Sequence, residues 1–210
     1  IKENPVNAIE VKGIKRKKLY HILLHKDLEK LYNDYKEKYN MTLSGKRNAM
    51  ILSMLIYQGL NSRAITNLKL NDLKLKSGEL YVSGTRTDNA RILKLASHQI
   101  MDLIEYTLQV RQAILTTNNK QTNDLFVTQS PKGNNIKNVL HLLSKELRQI
   151  NKNFDCLPQL RASVITHWLK LHNLREVQYM AGHKYVSSTE SYLVNDLEDL
   201  QDDINKFHPL

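Results

Sequence analysis

A single cysteine, Cys156, stands among 210 residues, so no disulfide can form within the chain. That scarcity suits a reducing compartment, the cytoplasm, with Cys156 expected as a small buried apolar residue. Long apolar runs are missing too: nothing approaches the roughly 18 residues of a membrane span, and no stretch reads as a secretory signal. Repeats and low-complexity tracts are absent. Acidic residues are in short supply, 21 against 31 Lys and Arg, which leaves a formal net charge of +10 and a pI near 9.5. Such an excess favours a polyanionic partner, nucleic acid first and a membrane surface second.

The charge is unevenly spread. Lys12, Lys15, Arg16, Lys17 and Lys18 crowd one short segment, and a basic arm beside DNA phosphates accounts for it. Asp196, Glu198, Asp199, Asp202 and Asp203 make the other end acidic, as a solvated face would be. Within that end, Leu197, Leu200, Ile204 and Phe207 recur at spacings of three and four, an apolar stripe suited to a groove.

Residues 1–20 lack periodicity and contain Asn4-Pro5 and Gly13, so they read as a linker or extended arm. From Leu23 the pattern turns helical, with Leu24, Leu28, Leu31, Tyr32 and Tyr35 predicted on one stripe. A denser apolar helix is expected from about Arg47 to Leu60. Asn61-Ser62 then caps a short helix ending at Leu68. Glu79–Ser83 and Ala90–Leu95 read as strands around a GTRTDN turn. A long helix fills roughly Ser97–Leu115, and 124–128 is a short strand or extended piece. Further helices are expected over 135–150, 159–172, 174–181, 187–194 and 196–207. The fold class is mostly α with a small antiparallel β-sheet.

The last third carries the chemistry. It holds LPQLRASVITHWL at 157–169 and LREVQYMAGHKYVSSTESYL at 174–193. Arg161 opens an apolar helix among Leu160, Val164, Ile165 and Trp168. Gly182-His183 ends the next helix, and Tyr192 follows nine positions later, after Val186 and Ser188-Thr189. This arrangement resembles the tyrosine recombinases of the phage-integrase family, in which an L-R-x-(S/T)-x-x-T-H stretch precedes an L-G-H-x-x-x-x-T-x-x-Y motif.

The resemblance implies a reaction, site-specific cleavage and rejoining of double-stranded DNA through a 3′-phosphotyrosine, with Tyr192 as nucleophile. Attack at phosphorus gathers negative charge, which calls for cations and hydrogen-bond donors around the non-bridging oxygens. Arg161 suits that task because its fork pairs with two oxygens and keeps its charge. His183 is expected to hydrogen bond the scissile phosphate. No metal or cofactor is needed. By the same resemblance, residues 21–210 form the catalytic domain, 1–20 join it to a DNA-gripping domain lying outside this sequence, and a free monomer assembles into a tetramer on synapsed DNA.

Several positions depart from the family pattern. The histidine that stands three residues before the arginine is replaced by Pro158. The family's first arginine, in a G-L-R-x-x-E turn, falls on Asn61, and its acidic residue on Ala64. Ile65, Leu68, Asp72 and Leu73 still keep that pattern's register. The hairpin that carries the family's lysine reads Gly84-Thr85-Arg86-Thr87-Asp88-Asn89-Ala90-Arg91, with no lysine. Arg86 and Arg91 are therefore the candidate replacement cations. These losses keep a second reading open, a DNA-binding member of the same family with weak or no cleavage. A helix-turn-helix regulator is a third reading; it explains charge and helices but not the spaced arginine, histidine and tyrosine.

Overall fold

A computed structural model describes residues 20–119, 121–130, 133 and 135–193. The basic segment at 12–18 and the tail helix expected over 196–207 lie outside the described residues.

Leu23 anchors the entry into the fold. Its side chain is buried, its N–H donates to Ser163 Oγ at 2.9 Å, and its carbonyl pairs with His167 Nε2 at 2.8 Å. Helix α1 (His25–Tyr39) follows, burying Leu28, Leu31, Tyr32 and Tyr35. Leu24, expected on that stripe, is 64% exposed. It sits at the helix N-cap in extended conformation, so the helical periodicity does not yet apply to it and Leu23 turns inward instead.

Helix α2 (Leu43–Tyr57) starts four residues earlier than its apolar pattern, because Thr42 caps it by accepting from the Gly45 N–H at 2.9 Å. It is central, packed against α1 and against α7 (Leu157–Leu171). Leu60 lies beyond its end but is fully buried. Asn61 caps α3 (Ser62–Asn67) as expected, its Oδ1 accepting from Ala64 N at 2.8 Å.

The sheet has the order β1-β2-β3, antiparallel throughout. Strands β2 (Glu79–Val82) and β3 (Arg91–Lys94) are the predicted hairpin, paired from Glu79↔Lys94 to Val82↔Arg91. Leu80, Val82, Arg91 and Leu93 face inward. Strand β1 (Leu73–Lys74) has two residues, too few for a period-two pattern to reveal.

The long helix predicted after the sheet is α4 (Ser97–Glu105), a π-helical stretch at Tyr106–Val110, and α5 (Arg111–Thr117). Residues 124–128 run extended, with a single bridge between Lys69 and Asp124. Leu125, Phe126 and Val127 are buried there, and Arg111 donates to the Thr122 and Asp124 carbonyls. Helix α6 (Ile136–Ile150) is capped by Asn135. Helix α7 begins at Leu157 with Pro158 in its first turn, where the missing N–H is no loss. Cys156 is half-buried at that N-cap rather than buried, because the chain is only entering the helix there. Helix α8 (Leu174–Ala181) packs against β3 and α7, and the short α9 (Val186–Glu190) packs against α8. No described helix is long and apolar enough to cross a membrane.

Candidate active site

Arg161 lies one turn into α7 and is 8% exposed. Its guanidinium reaches three elements. Nη1 donates to the Gly59 carbonyl, Nη2 donates to the Ala181 carbonyl at 2.8 Å, and the same Nη2 meets His183 Nε2 at 3.1 Å. Tyr192 also hydrogen bonds to it. Burial lowers the Arg161 pKa, while Tyr192 and then Asp88 act to raise it.

Gly182 makes the approach of these groups possible. It ends α8 at φ 75°, the left-handed conformation that favours glycine at a helix C-terminus. It is also needed for space: a Cβ there would fall 2.1 Å from Arg91 Nη1. The reversal turns His183 back against Arg161, where it is 8% exposed. His183 Nδ1 pairs with Thr189 Oγ1 at 2.9 Å, and its ring stacks on that of Tyr192 with centroids 5.7 Å apart and planes 9° from parallel. Tyr192, expected inside a helix over 187–194, lies just past α9 and is half-buried.

The hairpin turn is tied to the same place. Asn89 N donates to the Gly182 carbonyl at 2.8 Å, and Asp88 forms a bridge with His183. Asp88 holds its own turn closed by accepting from the Thr85 and Thr87 hydroxyls, each at 3.0 Å. Behind it, Tyr179 Oη accepts from Ile92 N at 3.1 Å and fastens α8 to β3.

Arg91 and Arg86 end up in different surroundings. Arg91 is 3% exposed, its Nη1 makes a 3.4 Å contact with the Asn89 carbonyl, and its buried Nε has no hydrogen-bond partner among the described residues. Burial, reinforced by the neighbouring Arg161 charge, lowers its pKa to about 10, against the opposing influence of Asp88 and Tyr179. Arg86 is exposed on the turn. The structure therefore brings Arg161, His183, Tyr192 and Arg91 together and leaves Arg86 in solvent. Arg63 is exposed as well, and Asn61 is committed to capping α3 while lining a small cavity with Asp88 and Arg91.

Thr189 is the neighbour that sequence reasoning placed in the motif without a task. Its position six residues after His183, on the same face of the returning chain, was the available signal. Among the described residues, no group of three or more His, Cys, Asp or Glu is placed to hold a metal ion. The cluster gathers a phenol and an imidazole against one guanidinium, with a second guanidinium behind, groups able to hydrogen bond and neutralise phosphate oxygens.

Known proteins resemble this chain in sequence and in fold. Tyrosine recombinase XerC of Oceanobacillus iheyensis is 28% identical over 193 residues, covering 89% of this chain and 61% of the relative. XerC of Bacillus subtilis is 26% identical over 213 residues, covering 100% of this chain and 68% of the relative. Among solved structures, XerH site-specific recombinase bound to palindromic difH substrate, a post-cleavage complex, superposes with a TM-score of 0.73 at 21% identity. That match covers 94% of this chain and 58% of the other. This chain thus spans about three-fifths to two-thirds of the relatives it matches. The family model described as "Phage integrase family" matches residues 21–198, and the chain belongs to that family.

Proposed function

We propose that this chain is the catalytic domain of a tyrosine-type site-specific recombinase, cutting and rejoining double-stranded DNA through a 3′-phosphotyrosine at Tyr192. One observation carries the reading: Arg161 hydrogen bonds with both His183 and Tyr192, from elements far apart in sequence. A scissile phosphate placed against Arg161 sits beside the attacking phenol and the imidazole. Arg91, one layer behind, adds the positive charge that Asn61 no longer supplies. In this reading the domain is monomeric when free and tetrameric on synapsed DNA, and the apolar stripe of Leu197, Leu200, Ile204 and Phe207 takes part in that assembly.

The test is a DNA substrate nicked near the cleavage point, so that the covalent product is trapped. Tyr192→Phe should abolish the DNA–protein adduct while DNA binding stays within about a few-fold, the cost of losing one hydroxyl. Chelation of divalent metal should leave adduct formation unchanged. Adduct persisting in Tyr192→Phe would place the nucleophile elsewhere, with Tyr185 and Tyr179 next to examine.

A second reading rests on two positions of the structure. Asn61 caps a helix and Pro158 offers no side-chain donor, so two groups that the family places at the phosphate are missing. A DNA-binding member without cleavage would give no adduct in the parent chain under saturating protein. The helix-turn-helix alternative needs no buried cluster of this kind, and the convergence weighs against it.

A further inference from the structure

Hydrogen-bond accounting at His183 assigns its proton. A guanidinium has only donors. Arg161 Nη2 directs one hydrogen to the Ala181 carbonyl and faces His183 Nε2 with the other, so Nε2 accepts. The ring is then neutral with its proton on Nδ1, and that proton points at Thr189 Oγ1, 2.9 Å away. Thr189 is 0% exposed and His183 8%, so no solvent competes for this bond.

We propose that Thr189 is a positioning residue that holds His183 as the Nδ1–H tautomer, leaving Nε2 as the base that takes the Tyr192 phenol proton. The inference rests on the recombinase reading above and adds the proton's route. When a phosphate draws the Arg161 fork onto its non-bridging oxygens, Nε2 loses its donor beside the tyrosine. As the phenol oxygen bonds to phosphorus, its O–H breaks and an Nε2–H forms; the bond from phosphorus to the 5′ oxygen breaks in turn, and that oxygen leaves as a hydroxyl with a proton taken from water. The imidazolium keeps its Nδ1–H on Thr189 and turns the new Nε2–H toward the phosphate. A hydroxyl can serve both states because it accepts from Nδ1 before and after the transfer. Pro158, three residues before Arg161, has no side-chain nitrogen that could take this proton in place of His183.

The groups facing His183 are Arg161 from α7, Tyr192 beyond α9, Asp88 from the hairpin turn, and Arg91 from β3 against Gly182. The two arginines oppose an imidazolium and Asp88 favours it. Thr189 is uncharged, so changing it alters the hydrogen bond to Nδ1 without altering the field.

Two measurements test the idea. Nitrogen-15 spectra of the DNA-free chain should find His183 protonated at Nδ1 and bare at Nε2; an Nε2-protonated ring overturns the proposal. On the nicked substrate, Thr189→Val should slow adduct formation roughly 10- to 100-fold, by analogy with the loss of a partner that orients a metal-ligating imidazole. Thr189→Ser should restore it. The parent rate should fall as pH drops and His183 becomes protonated. That acid limb should move to lower pH in Thr189→Val, because the imidazolium has lost its acceptor. A rate that rises toward acid, or a valine variant with parental rate and limb, overturns the base role. Should the parent chain form no adduct under saturating protein, the recombinase reading fails instead, whatever tautomer the spectra show.

Discussion

Arg91 is a buried charge, 3% exposed, whose strongest influence from its surroundings is the loss of solvent. Among the described residues its buried Nε has no hydrogen-bond partner and no carboxylate forms an ion pair with it, and burial, then the nearby Arg161 charge, lowers its pKa to about 10. A cation whose folded pKa is depressed is disfavoured by folding while it stays charged. The penalty is therefore fully present at neutral pH and eases only as pH climbs through about 10. Arg91→Met, which keeps the volume and drops the charge, should leave stability unchanged or raise it by ~1–3 kcal/mol. It should also slow adduct formation strongly. Thermal melting without DNA and the nicked-substrate assay check the two halves; a melting temperature several degrees lower would make Arg91 a structural strut. Gly182→Ala should lose both, since it strains a φ of 75° and drives a methyl group into Arg91. Arg91 was legible in the sequence as the closing arginine of the hairpin. Its burial was not, because that depends on Gly182 arriving from a segment ninety residues away.

Elements were legible where a pattern had room to repeat. Helix α8 matches its expected limits, and β2 and β3 lie within theirs, because alternation and caps agreed there. The two-residue β1, the π-helical stretch at 106–110 and the early start of α2 were not, since each is fixed by partners rather than by period. Helix α1 carries a further consequence of packing. Its Tyr32 and Tyr35 donate to Asp102 and Glu146, at 2.9 and 2.6 Å. Burial first, then these carboxylates, push both phenol pKa values far above the ordinary one. A phenol raised in this way contributes stability below its unfolded value of about 10 and loses it as pH rises beyond. Unfolding monitored between neutrality and strong alkali should therefore show stability falling above about pH 10. Tyr35→Phe should flatten that fall while lowering stability at neutral pH, and a profile unchanged by the substitution would place the alkaline sensitivity elsewhere.

At the scale of the whole molecule, the proposed function has the net charge of +10 draw DNA in and two arginines from one hairpin divide the work once it arrives. Composition made the first part legible, since an excess of Lys and Arg needs no fold to be noticed. The division was not legible, because Arg86 and Arg91 stand five positions apart in sequence and differ only in which way the turn sends them. Arg86 is exposed and free to meet a backbone phosphate, while Arg91 faces the Arg161 cluster from behind. Each phosphate contact by a cation contributes about one unit to the slope of log affinity against log salt, through counterion release. Arg86→Ala should thus weaken DNA binding at low salt and reduce that slope by about one unit, with the adduct rate at saturating protein little changed. Arg91→Ala should do the reverse, keeping the slope and lowering the saturated rate, because its charge acts on the phosphate under attack. Titrations at several salt concentrations, paired with single-turnover adduct formation, separate the two. Equal loss of slope in both variants would mean that the hairpin only grips DNA, and the charge missing at Asn61 would then have to come from another part of the assembled complex.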